Sequence, residues 1–363
     1  MKIVHTESSC AWGGQEIRVL SEMAGMLKRG HEMLLLCPSA ARIHAAAQAR
    51  GVPVEALPIG KKRIPGVLAL RRRLKSLQPD LVVTHSSTDS WLAALATCFW
   101  RDAPRIVRVR HISAPVRKNA TTRWLYAEAA DHIVTTGERL REELMRDLRL
   151  PADHVTSVPT GIDLARHAPQ DRGAARRQLG LAEDGRIVGI VATLRSWKGH
   201  RYLLDAFAQL DDKQARLLIV GDGPGFDNLR RQAAELGVAD RVTMPGNQSD
   251  VAPWLAALDV FVLPSYANEG VPQAIMQAQA GGLAVVSTPV GSIPEIVADG
   301  VTGLLVKPRD VDALKAALTR LLHDDDLRAR LGAAALAQAR ERFSDARMLD
   351  RMEAIFRRVV ERS

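Results

Sequence analysis

Along nearly the whole chain, short apolar runs alternate with stretches of helical periodicity, and this alternation narrows the possible folds more than any other feature. In the first half the runs are KIVHT (2–6), MLLLC (33–37), DLVVT (80–84), RIVRVR (105–110), DHIVTT (131–136) and HVTSV (154–158). In the second half they are RIVGIVA (186–192), RLLIVG (216–221), RVTMP (241–245), DVFVLP (259–264), LAVVS (283–287) and TGLLV (302–306). Runs this rich in β-branched residues and this continuous in hydrophobicity suit strands buried on both faces. Strand–helix alternation predicts an α/β class with parallel sheets under helices, and two series of about six strands predict two doubly wound domains. A length of 363 residues agrees, being too long for one ordinary core. The periodicity breaks within PTGIDLARHAPQDRG (159–173), so the expected domains are residues 1–170 and 171–343. Only helices are expected after residue 307, and the last of them (344–363) is expected to pack back on the first domain.

The net charge of +9 is unevenly spread. Residues 1–170 hold 25 Lys and Arg against 16 acids, whereas the rest of the chain holds 25 against 25. Within the basic half, KKRIPGVLALRRRLKSL (61–77) has seven cations and no acid, with Val67, Leu70, Leu74 and Leu77 at helical spacing. Such a helix either lies on an anionic membrane surface or simply presents a solvated basic face. Trp and Tyr do not interleave with this run, which argues against a nucleic-acid partner. The longest apolar stretch, WLAALATCFW (91–100), is about half of what a membrane-spanning helix requires. MKIVHTESSCAWGG has no apolar core of a secretory signal, so a cytoplasmic location is expected, with peripheral attachment to the inner face of the plasma membrane. Cys10, Cys37 and Cys98 lack metal-type spacing and read as buried thiols in a reducing compartment.

In doubly wound sheets ligands bind beyond the carboxyl ends of the strands, and the polar and glycine signals of this sequence cluster in those loops. Gly13 and Gly14 follow a strand and precede a helix, which suits either an anion site or a plain tight turn. TLRSWKGH (193–200) puts Arg195 and Lys198 at a helix start, where cations oppose the helix dipole unless an anion sits there. His111 ends the strand RIVRVR beside Arg108 and Arg110, whose charge keeps an imidazole neutral; it is either a ligand to a sugar hydroxyl or a merely hydrogen-bonded histidine. His85 is a second candidate of the same kind. GDGPG (221–225) lacks the spacing of a dinucleotide fingerprint, and HDDD (323–326) reads as a helix cap, not a metal site. No G-x-S-x-G is present for a hydrolase. PSYANEGVPQAIMQAQAGG (264–282) ends an apolar strand in a loop with a carboxylate; Asn268 or Glu269 either caps the helix that starts at Pro272 or contacts a ligand.

Taken in order, VPTGIDLARHAP, TLRSWKGH, LLIVGDGPG, PGNQSDVAPWLAALDVFVLPSYANEGVPQAIMQAQAGG and STPVGSIPEIVADGVTGLLVKPRD resemble the retaining GT-B glycosyltransferases of family 4. The resemblance covers nearly the whole chain and is strongest over residues 159–310. It implies a GT-B fold, two Rossmann-like doubly wound domains facing a central cleft, and transfer of a sugar from a nucleotide donor to an acceptor with retention and without a metal. Within it, Glu269 is similar to the first Glu of the family's Glu-(seven residues)-Glu motif, which contacts donor-sugar hydroxyls, with the amides of Gly270 and Val271 facing the sugar or its phosphate. The second Glu, which holds the ribose, falls on Gln277, and an amide accepts on one side only. Lys198 matches the diphosphate-binding Lys; the Arg expected five residues earlier is Thr193, with Arg195 as its substitute. Gly13 and Gly14 match the N-terminal glycine loop, His111 the N-domain histidine near the transferred sugar, and Asn247 and Asp250 the contacts to the base.

The activity so implied is extension of a glycan or lipid-linked acceptor in cell-surface polysaccharide or lipopolysaccharide biosynthesis, with the nucleotide-sugar as co-substrate and no cofactor. A GT-B sugar-nucleotide epimerase and a catalytically impaired binding protein are the competing readings, the latter because Gln277 and Thr193 replace charged residues.

Overall fold

The computed structural model describes residues 1–361 except 113 and 268. The chain divides into two compact units: residues 1–161 with 345–363, and residues 162–344.

The first unit is built on seven strands: β1 (Lys2–Thr6), β2 (Glu32–Cys37), β3 (Val54–Ala56), β4 (Leu81–Thr84), β5 (Arg105–Arg110), β6 (His132–Thr135) and β7 (Val155–Ser157). They form one sheet in the order β3-β2-β1-β4-β5-β6-β7, every neighbouring pair parallel. The sequence reading missed β3. It is a three-residue edge strand with one paired neighbour and little burial, so it never needed an apolar run.

The second unit carries β8 (Ile187–Val191), β9 (Arg216–Val220), β10 (Val242–Gly246), β11 (Val260–Leu263), β12 (Ala284–Ser287) and β13 (Gly303–Leu305). Their order is β10-β9-β8-β11-β12-β13, again parallel throughout. Strands β4, β11 and β12 are buried along their whole length, as expected where helices cover both faces.

Helix Asp345–Glu361 belongs to the first unit. It adds Met348, Met352, Ile355 and Phe356 to a core shared with Val19, Met23 and Met26 of helix Gly14–Lys28. Each such side chain contributes about 1.5–3 kcal/mol on burial. At the rim, Arg29 pairs with Asp350 (2.7 Å) and Glu353 (2.9 Å). Hydrogen bonds from Arg357 and Arg29 pull the Glu353 carboxyl down to about 2.

In both sheets the first strand of the series is central, later strands are added on one side, and the chain then crosses to the other. The reversals fall between β1 and β4 and between β8 and β11. At such a point the loops leaving the carboxyl ends diverge and open a crevice. Of the loops singled out in the sequence, those of Gly13–Gly14 and His85 leave β1 and β4 and those of Lys198 and Glu269 leave β8 and β11, whereas His111, GDGPG and Asn247 follow β5, β9 and β10.

Among the described residues no helix is long and apolar enough to cross a membrane. Cys37 is buried, and burial pushes its thiol up to about 12, but Cys10 is exposed and Cys98 half-buried, so the expectation of three buried thiols is corrected.

Candidate functional site

At the reversal point of the second unit, Lys198 and Glu269 meet. Lys198 Nζ donates to both carboxylate oxygens of Glu269, at 2.7 and 3.0 Å, and Ser265 Oγ donates to the first of them at 2.6 Å. Glu269 is buried, while the Lys198 side chain keeps about a fifth of its surface open.

Two glycines make this meeting possible. Gly199 adopts φ +80°, and a Cβ there would overlap the carbonyl oxygen of Pro264, so the Lys198 turn slides under the end of β11. Gly291 adopts φ +57° against the carbonyl of Glu269, which seats the glutamate's backbone. Tyr266 N–H donates to Trp197 O at 2.8 Å and locks the two loops together. The GDGPG loop buttresses them from the far side through Leu194, whose N–H bonds Asp222 O and whose O accepts from Gly225 N–H.

The structure corrects two local expectations here. Ser196–Lys198 is a single 3-10 turn, and the α-helix begins only at His200. Glu269 does not cap the next helix: its carboxylate is taken by Lys198 and Ser265, and Pro272 is the N-cap of Gln273–Ala280. The alternative cap, Asn268, lies outside the described residues. Gly270 and Val271, between Glu269 and that helix, are buried. Arg195 is exposed, with its guanidinium 5.7 Å from the Trp197 ring. Gln277 is half-buried one turn into the helix. Asn247 is exposed beyond β10; Asp250 pairs with Arg166 at 3.1 Å and accepts from Ala252 N–H.

In the first unit, His111 stands at the end of β5 and is half-buried, with Nε2 3.1 Å from His85 Nδ1. Burial, then the charges of Arg18 and Arg110, hold its pKa well below the ordinary imidazole value. The expected neutrality therefore has a different main cause. Arg108 takes no part in it, being stacked 4.0 Å from the Tyr126 ring. His85 is buried, and its amide donates to Asp89, which with Ser86 forms the capping box of helix Ser87–Thr97.

Gly13 and Gly14 open the helix after β1, but Gly13 is in ordinary extended backbone and a Cβ there would meet nothing nearer than 3.8 Å. The chain's own geometry thus does not demand glycine. The helix start is also occupied: the buried Glu16 carboxyl accepts from the Gly13 amide, and burial raises its pKa. Sequence reasoning missed this, and it missed His5 and the Arg18–Glu22 pair beneath His85. Their signals were a histidine directly after the apolar pair Ile3–Val4 in the first strand, and two opposite charges four apart within an apolar helix stripe.

Among the described residues no group of three or more His, Cys, Asp or Glu is placed to hold a metal ion. The HDDD segment is a cap, Asp324 accepting from Leu327 N–H.

Comparison with known proteins adds the family. Residues 12–166 match the model described as Glycosyltransferase Family 4, and residues 171–338 the model described as Glycosyl transferases group 1. The chain is 32% identical over 367 residues to the D-inositol 3-phosphate glycosyltransferase of Stackebrandtia nassauensis, covering 90% of this chain and 83% of that one. With the enzyme of the same name from Corynebacterium glutamicum it shares 30% identity over 372 residues, covering 90% and 88%. Among solved structures, a glycosyltransferase from Rickettsia africae superimposes with a TM-score of 0.89 at 20% identity over 100% of this chain and 99% of that one. Anabaena HepE, solved with UDP and glucose, does so with 0.87 at 23% identity over 98% and 99%. The two parallel sheets are those of the GT-B fold, and the chain belongs to the glycosyltransferases of family 4, the glycosyl transferases group 1.

Proposed function

We propose that the protein is a retaining transferase that moves a sugar from a nucleotide-sugar donor to a hydroxyl of a glycan or lipid-linked acceptor, in the building of cell-surface polysaccharide or lipopolysaccharide. The observation that carries this reading is the Lys198–Glu269 pair at the carboxyl ends of β8 and β11. A carboxylate accepts from sugar hydroxyls, while an ammonium and a nearby helix N-terminus favour a diphosphate. As the bond from the anomeric carbon to the diphosphate oxygen breaks, its electron pair passes to that oxygen. Lys198, Arg195 and the amides at Gly270 and Val271 stabilise the charge that develops there, and no divalent ion is needed for that work. The acceptor oxygen bonds the anomeric carbon on the face being vacated and its proton goes to the departing phosphate, so configuration is retained. Gln277 is assigned to the ribose, Asn247 and Asp250 to the base, His111 to a sugar hydroxyl, and the Gly13–Gly14 loop to phosphate once Glu16 yields its place.

The relatives named for D-inositol 3-phosphate support an acceptor that offers a free hydroxyl. Gln277 and Thr193 favour a second reading, a sugar-nucleotide-binding protein without turnover; the intact Lys198–Glu269 pair favours the enzyme. The test is incubation with UDP-, GDP- and ADP-sugars and a panel of lipid-linked glycans and inositol phosphates in EDTA. Acceptor-dependent release of one nucleoside diphosphate, with the product's anomeric configuration equal to the donor's by proton NMR, is the expected result. Inversion, or turnover only with added metal, would remove that part of the mechanism, and binding without release would bring the second reading forward.

The basic surface of the first unit fits an anionic membrane. This unit carries 29 Lys and Arg against 19 acids. Helix Ile64–Leu77 exposes Ile64 (75%) and Leu68 (47%) among Lys61, Lys62, Arg63, Arg72 and Lys75. Arg71 and Arg73 are not part of that face, contrary to the sequence reading: Arg71 donates to the carbonyls of Ala96 and Cys98, and Arg73 to Glu55. The bond from Arg71 ties on the neighbouring helix, which leads to the fully exposed Phe99. A buried Phe contributes about 2 kcal/mol and each cation near an anionic surface about 1 kcal/mol. Phe99→Ser is therefore expected to weaken co-sedimentation with phosphatidylglycerol vesicles at least ~10-fold. Equal sedimentation with neutral and anionic vesicles would contradict this surface.

A further inference from the structure

The interior of the first unit holds a row of polar side chains of which the mechanism above uses only the outermost, His111. It starts at His111, whose Nε2 lies 3.1 Å from His85 Nδ1; His85 Nε2 lies 2.9 Å from His5 Nδ1. His5 Nε2 faces Glu22 Oε1 at 4.0 Å, and Glu22 Oε2 faces Arg18 Nε at 3.8 Å. The ring centroids are 5.3 and 5.1 Å apart and the planes inclined by 35° and 22°, so with these short nitrogen–nitrogen distances the rings meet edge to edge. His5, His85, Glu22 and Arg18 are all buried. Arg18 is anchored in turn by the carbonyl of Val158 at 2.8 Å. Burial lowers the pKa of all three imidazoles, His5 to about 3, so each is neutral at working pH.

A neutral imidazole has one donor nitrogen and one acceptor nitrogen. Two ring-to-ring bonds therefore make the three rings point the same way. If His5 carries its proton on Nε2, so do His85 and His111, and His111 Nδ1 is a bare acceptor. If His5 carries it on Nδ1, the row reverses and His111 Nδ1 becomes a donor. The inner end decides: burial raises the Glu22 carboxyl to about 7 against the pull of Arg18, and above that pH the carboxylate 4.0 Å from His5 Nε2, near enough to attract though too far for a hydrogen bond, favours a proton there.

We infer that Glu22 is a positioning residue: acting through His5 and His85, it fixes His111 as the Nε2–H tautomer, so that Nδ1 accepts a hydrogen bond from a substrate hydroxyl. The row thereby selects a sugar that offers a free O–H at this point and refuses its O-methyl analogue. The selection rests on the transferase reading; the tautomer does not.

The test is two-bond ¹⁵N–¹H correlation NMR of the full chain with ¹⁵N-labelled histidine, the rings assigned from His85→Gln and His111→Gln. The wild type should show His5, His85 and His111 all protonated on Nε2, with slowly exchanging N–H protons on His85 and His111. Glu22→Met, which removes the facing charge, should raise the Nδ1–H population of His111 and lower kcat about 10-fold, the factor that one hydrogen bond of ~1.4 kcal/mol at His111 represents, with donor KM nearly unchanged. Glu22→Gln, which removes the charge but keeps a carbonyl dipole facing His5, should restore both in part. A wild-type His111 protonated on Nδ1, or a Glu22→Met protein with unaltered tautomers, would overturn the inference. If Glu22→Met does not fold, the wild-type spectrum alone gives the direction of the row. The expected tautomers in a protein that transfers no sugar would sink the transferase reading and leave this one standing.

Discussion

Lys198→Ala lowers kcat for sugar transfer by ~100-fold or more, the loss of ~2.7–4 kcal/mol typical of removing one donor from a site of developing negative charge. Two consequences of the substitution have to be separated. In the proposed reaction Lys198 faces the leaving group, and in the structure it holds Glu269 through both carboxylate oxygens. Without the ammonium, the buried carboxylate keeps the Ser265 hydroxyl as a partner, and leaving a buried charge under-compensated is itself costly. A double-mutant cycle of Lys198→Met and Glu269→Gln distinguishes these, because residues in one ion pair are expected to be strongly non-additive. The double variant should unfold at a temperature close to that of the wild type and still be inactive. A Lys198→Ala protein with kcat within ~3-fold of the wild type, well short of the loss expected of such a donor, would remove Lys198 from the site.

Gly291→Ala destabilises the second unit by about 3 kcal/mol, combining the cost of a non-glycine residue at positive φ with an overlap that forces the backbone apart. Gly291 sits at φ +57° with its α-carbon against the carbonyl of Glu269, which is rigid backbone and cannot swing aside. For a unit of this size the melting temperature should fall by roughly 10 °C. Transfer should fall as well, because the displaced peptide is the one that carries the carboxylate. An unchanged melting temperature would mean that the contact is looser than drawn, and Glu269 would then not be seated by it.

These two predictions rest on features that were unequally legible in the sequence. The doubly wound fold was readable because parallel strands buried on both faces must be apolar throughout, and DVFVLP or LAVVS admits few other uses. The edge strand β3 escaped for the same reason in reverse. Glu269 and Lys198 could be singled out because each follows such a strand directly. That they bind one another could not, since 71 positions separate them and only the glycines at 199 and 291 let the loops close. Glu16 was missed for a related reason: nothing in the sequence distinguishes an acid that merely complements a helix dipole from one buried against the Gly13 amide. The histidine row was least visible. His5, Glu22, His85 and His111 come from four separate elements, and nothing local in KIVHT or LSEMAG announces a partner.

Isothermal titration of the wild type and of Lys198→Met with UDP-, GDP- and ADP-sugars, in EDTA, tests the central claim most directly. The account predicts that the wild type binds the sugars of one base class without metal and that Lys198→Met binds them at least ~10-fold more weakly, the loss of one charge-assisted bond of ~1.5 kcal/mol or more. Equal affinity of the two proteins, or no binding by the wild type across the whole panel, would contradict it.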